Sequence, residues 1–105
     1  MTHAFTLFAA LLAVAGTARA EVTQARPGSF QIEIPARVEA SAVRLYSAIV
    51  AVERWWDPAH TWSGASANLS LNASAGGCFC ERWANGSAEH GRVIMASKNE
   101  LLRLY

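Results

Sequence analysis

From Leu69 to Tyr105 the chain changes character every few residues, and this rhythm leaves few folds open to it. Leu69 and Leu71 alternate with Ser70 and Asn72. A glycine-bearing break at residues 73–77 follows, then Cys78 to Trp83 reads as a returning strand. A third strand runs from about Ala88 to Ala96, and Ser97-Lys98-Asn99-Glu100 turns the chain into Leu101 to Tyr105. Period-two alternation places neighbouring side chains on opposite faces of a sheet, and connections this short can join only antiparallel neighbours. The pattern therefore predicts a meander of at least four strands. Asn85-Gly86 is its strongest turn signal, because both residues tolerate the positive φ of a type I′ hairpin. A two-residue turn there puts Ala84 opposite Ser87, Trp83 opposite Ala88, Arg82 opposite Glu89 and Glu81 opposite His90. Phe79, Glu81, Trp83 and His90 then share one face. Cys78, Cys80, Arg82 and Glu89 share the other, with Arg82 and Glu89 expected as a cross-strand ion pair.

Upstream the period changes. Phe30, Ile32 and Ile34 alternate with Gln31 and Glu33, which predicts a strand continuing to about Glu39 with Pro35 at an edge or bulge. Ser41 can accept the orphan N–H groups of a helix start. After it, Ala42, Leu45, Tyr46, Ile49 and Val50 recur at helical spacing and form an expected core-facing stripe. The pattern runs less regularly to Trp56 and stops at Asp57-Pro58, since a residue before proline is pushed out of the helical region. Trp55, Trp56 and Trp62 thus lie at or just past a helix end. Glu21 to Ser29, with Pro27 and Gly28 and no periodicity, reads as a flexible leader.

The first twenty residues read as an address. Ala4 to Gly16 is almost wholly apolar, and Ala18-Arg19-Ala20 has the small-x-small pattern cleaved by a signal peptidase. Cleavage after Ala20 and export to a periplasm or the exterior are expected. The apolar run is shorter than the roughly 20 residues of a membrane-spanning helix. Removing 20 of the 105 residues leaves 85, and with Arg19 gone eight basic residues face eight acidic ones. A neutral chain without a Lys/Arg cluster points away from nucleic acid and from anionic membrane surfaces as partners.

The helix "SAVRLYSAIVAVERWWDP", then "AHTWSGASANLSL", "AGGCFCE" and "EHGRV", resemble the START-like or SRPBCC superfamily, which includes polyketide cyclase/dehydrase-type and heat-shock-ATPase-activator-type domains. The resemblance covers residues 30 to 105. It implies an α+β helix-grip fold, in which a strand and short helices precede an antiparallel meander that curls round a long C-terminal helix and encloses an apolar cavity. Leu101 to Tyr105 reads as the middle of a strand, so the later strands and the long helix of that fold are expected to be missing from this sequence. The resemblance also implies a small hydrophobic ligand, with no cofactor.

Cavities of this kind need mostly apolar walls and a few orienting polar groups. Trp56, Trp62, Phe79 and Trp83 are the expected lining residues, although aromatic side chains also serve to staple loops. Glu81 and His90 form the candidate acid–base pair of an alternative reading, a cyclase- or hydrolase-type enzyme, because a carboxylate fixes the tautomer of a neighbouring imidazole. Their other reading is a structural polar pair. A third function, a co-chaperone-like domain with a protein partner, fits poorly with export. Cys78 and Cys80 flank Phe79 on one strand face, where a disulfide would be strained in a regular extended backbone and free thiols are equally open. A metal site built from them and a histidine lacks Cys-x-x-Cys spacing and a second ligand pair, so no metal is expected.

Overall fold

A computed structural model describes residues 19–105. The expected export signal falls almost wholly outside the described residues. Among the described residues the fold is α+β, with antiparallel sheet, one α-helix and three short 3-10 turns. The chain divides into two units, Met1–Glu39 and Ala40–Tyr105.

In the first unit, strand β1 (Glu21–Arg26) pairs antiparallel with β2 (Ser29–Glu33). Arg26 pairs with Ser29, so Pro27-Gly28 is a two-residue turn, and Gly28 takes a φ of 80°. Proline followed by a glycine at positive φ is the signature of a type II turn. The expected leader is therefore a hairpin arm. Its Pro-Gly punctuation closes a turn rather than marking a loose segment. β2 ends at Glu33, short of the expected Glu39, and pairs with β1 rather than with the meander.

In the second unit, helix α1 spans Ala42–Val50, and the Ser41 side chain accepts the Arg44 N–H at its start. The cap expectation holds. The helix stops at Ala51, whose ψ of 58° leaves the helical region, and the chain continues in a 3-10 turn, Val52–Arg54. Asp57 accepts the Ala59 N–H and opens another 3-10 turn, Pro58–His60, with proline at its first position. A third, Ser66–Asn68, leads into the sheet. No residue of α1 is buried, so the stripe read as a core face is not one.

The sheet runs in the order β3 (Leu69–Leu71), β4 (Cys78–Trp83), β5 (Gly86–Ser97) and β6 (Leu101–Leu104), each antiparallel to the next. The meander expectation is met, but its register is not. Trp83 pairs with Gly86, Arg82 with Ser87 and Glu81 with Ala88, so the two-residue turn is Ala84-Asn85. Neither Asn85 nor Gly86 has a positive φ. Gly86 is needed for space instead: a Cβ there would lie 2.5 Å from Trp83 Cζ2. The two-residue slip preserves every face assignment, because sides alternate with period two. Between Phe79 and Cys80 the ladder breaks, with Phe79 opposite Gly91 and Cys80 opposite Glu89, leaving His90 as an extra residue on β5. A second irregularity leaves Ile94 unpaired towards β6.

The core is small. Val52, Leu69 and Phe79 are buried together, with Trp56 and Leu71 packed against them, and Val93 is fully buried.

Candidate functional site

β4 presents Phe79 and Glu81 on one face, and the bulge brings His90 from β5 to the same place. Glu81 is the one buried charged side chain among the described residues, with no exposed surface. Its carboxylate accepts the Trp62 N–H at 3.0 Å, the Ser63 N–H at 2.6 Å and His90 Nε2 at 2.8 Å. Burial pushes the Glu81 carboxyl up, but hydrogen bonds from Ser63, from the Trp62 N–H and from His90 outweigh it and hold the pKa at about 2. Glu81 is thus ionised and carries no proton to donate. His90 must supply the hydrogen on Nε2, which leaves Nδ1 as the ring's acceptor when the imidazole is neutral.

The aromatic side chains divide into distinct settings. The His90 ring packs on Phe79 with centroids 5.1 Å apart, and Trp56 meets Phe79 edge-on at 5.2 Å. Trp56 also donates its indole N–H to the His60 carbonyl, while Trp55 donates to the Ala48 carbonyl, tying the turns back to α1. Trp62 is 77% exposed, and its backbone N–H is tied to Glu81. Trp83 packs over Gly86 at the hairpin end. Of the four expected lining residues, Trp56 and Phe79 are in contact, and Trp62 and Trp83 lie apart from that contact.

The opposite face of β4 carries Cys78 and Cys80, which are joined as a disulfide. Their Cα atoms are 5.3 Å apart, within the roughly 4.4–6.8 Å that a disulfide requires. Glu89 stands opposite Cys80 and is bound by Arg92 at 2.8 and 3.2 Å, so the expected Arg82–Glu89 pair is replaced by one within β5. With Glu81 opposite Ala88 in the ladder, Glu81 and His90 meet diagonally rather than directly across.

Two contributors had no signal in the sequence. The Trp62 and Ser63 donors are backbone groups, identical in every residue but proline. Glu89 was placed on the cysteine face, but its pairing with Cys80 depends on the slipped register.

A final feature lies between α1 and β6. Leu45, Tyr46, Ile49, Leu101, Leu102 and Leu104 line an open groove of about 470 Å³. Gly91 extends the same sheet face: a Cβ there would sit 3.7 Å from Leu104 Cδ2 and 4.0 Å from Phe79 Cδ1. Comparison with protein-family models, curated proteins and solved structures gives no match for the chain.

Proposed function

We propose that this protein is an exported START-like domain that binds a small hydrophobic molecule along the sheet face beside α1. The groove between α1 and β6 carries the reading. Its volume of about 470 Å³ falls in the roughly 300–1,000 Å³ range of small-molecule sites, and its walls are mostly leucine, isoleucine and tyrosine, with Asn99 and Glu100 as the polar members. A stripe of this kind left uncovered by the chain's own core is an apolar surface in search of an occupant. Gly91 lies between Leu104 and Phe79 on that face, and Phe79 with Trp56 would form the far wall. In a helix-grip arrangement the β3–β6 sheet would be the curved wall of such a cavity.

The 2.8 Å contact between Glu81 and His90 favours a second reading, an acid–base enzyme of cyclase or hydrolase type. In it Glu81, already saturated with donors, positions the ring, and His90 Nδ1 transfers the proton.

The test is fluorescence titration of the full chain with N-phenyl-1-naphthylamine. Saturable uptake that falls at least tenfold in Leu102→Asp and is unchanged in His90→Ala supports the binding reading. Uptake indifferent to both Leu102→Asp and Ile49→Asp removes the groove from consideration.

A further inference from the structure

The disulfide on the outer face of β4 joins residues that the sheet already holds. Cys78 and Cys80 have a sequence separation of 2. Cys80 pairs with Ser70 on one side and Glu89 on the other, while Cys78 pairs with Arg92 and its carbonyl accepts the Asn72 N–H. A cross-link stabilises a fold by closing a loop in the unfolded chain, and the effect shrinks with that loop. A bond between next-but-one residues of a strand paired on both sides closes almost nothing. Holding the fold together does not account for it.

Its surroundings suit exchange chemistry. Cys78 is half-buried, whereas Cys80 is only 6% exposed. An incoming sulfur therefore meets one accessible target, and the sheltered sulfur is the leaving group. Arg82 and Arg92 lie on the same face as the pair, and Arg92 binds both oxygens of Glu89, whose Oε2 is 3.9 Å from Cys78 Sγ. Two guanidinium groups against one carboxylate leave that face net positive. The attacking species in thiol–disulfide exchange is a thiolate, and positive charge around a partly exposed cysteine favours it.

We propose that the Cys78–Cys80 pair is a thiol–disulfide exchange site, which passes oxidising equivalents from a small-molecule disulfide to a dithiol substrate. One thiolate of the dithiol attacks Cys78 Sγ, and a mixed disulfide forms as the Cys78–Cys80 bond breaks with its electron pair leaving on Cys80. The second thiol of the substrate, after losing its proton to solvent, attacks the substrate sulfur of that mixed disulfide. Cys78 departs as a thiolate, and the substrate leaves as a disulfide. Two electrons have then reduced the cysteine pair, and solvent returns two protons to it. A small disulfide, RSSR, reoxidises the pair by the same two displacements in reverse and leaves as two RSH. The site is independent of the apolar ligand, because Phe79 and Glu81 lie on the opposite face of β4.

The test follows oxidation of dithiothreitol by oxidised glutathione, through the ultraviolet absorbance of the cyclic product, with catalytic amounts of the full chain. An acceleration of about tenfold or more over the spontaneous reaction is expected. In Cys80→Ser the remaining thiol should capture one glutathionyl group, seen by intact mass, and Cys78→Ser should do so about tenfold more slowly because its thiol is buried. Glu89→Gln should speed reduction of the pair by dithiothreitol and Arg92→Gln should slow it, opposite signs that a general loosening of the sheet would not give. The variant with both cysteines changed to serine should keep the urea midpoint of the wild type. No acceleration by the wild type, equal capture by the two single variants, or changes of the same sign in Glu89→Gln and Arg92→Gln would overturn the proposal. A double variant that unfolds at clearly lower urea would also overturn it, by showing the bond to be a staple.

Discussion

Replacing Gly86 with alanine tests the argument that a tryptophan sets the hairpin register. The added methyl would lie 2.5, 2.8 and 3.1 Å from Cζ2, Cε2 and Nε1 of Trp83, far inside the roughly 3.5–4.0 Å of a favourable contact. The half-buried indole must swing away and give up its packing on the turn. Overfilling of this kind costs about 1–3 kcal/mol. The φ of Gly86 is open to any residue, so alanine also gains about 0.4–1 kcal/mol by narrowing the unfolded ensemble. The net expectation is a loss of about 1–2 kcal/mol, a fall in Tm of about 4–8 °C per kcal/mol for a domain of this size. In a Trp83→Ala background the clash is absent, and Gly86→Ala should become neutral or stabilising. Urea unfolding followed by far-ultraviolet circular dichroism gives all four corners of the cycle. Equal destabilisation by Gly86→Ala with and without the indole would refute the argument.

Three further outcomes are expected. The folded Glu81 pKa of about 2 lies below the ordinary value of 4.5, so its stabilisation is complete above pH 4.5 and is lost as the pH falls towards 2; the urea midpoint should drop across that window in the wild type, and an identical drop in Glu81→Gln would contradict the assignment. Val93→Ala empties a fully buried position and should cost about 2 kcal/mol in denaturant unfolding, with a cost near zero showing the site to be solvated. Trp56→Ala should lower Tm clearly more than Trp62→Ala, since Trp56 packs on Phe79 whereas Trp62 is 77% exposed; the reverse order in thermal scans would mean Trp62 is covered in solution.

Features governed by neighbouring residues were legible in the sequence. The Ser41 cap and the four strands of the meander each depend on a few adjacent residues and stand where expected, whereas the helix ends at Ala51, before the Asp57-Pro58 break expected to stop it. The face assignments of Glu81, His90, Cys80 and Glu89 survived a wrong register because a slip of two leaves the sides unchanged. What escaped depended on packing across the chain. Space for the Trp83 indole, rather than the φ preference of Asn85-Gly86, chose the turn. The bulge at His90 broke the strict opposition on which Glu81 with His90 had been placed, yet brought them within 2.8 Å. Helical spacing identified one apolar stripe on α1, but spacing alone does not say whether a core covers it.

The neighbour-to-neighbour order of the β3–β6 sheet also bears on folding speed. Each ladder joins strands adjacent in the chain, so the meander can form hairpin by hairpin with little loop entropy to overcome. The Glu81 carboxylate reaches further, across 19 residues to Trp62 and 18 to Ser63. Because His90 of β5 shares the same carboxylate, the clamp is expected to close after β4 and β5 have assembled. In stopped-flow refolding, circular dichroism should therefore report sheet formation before a tryptophan signal that is missing in Trp62→Phe, and simultaneous signals would show that clamp and sheet form in one step.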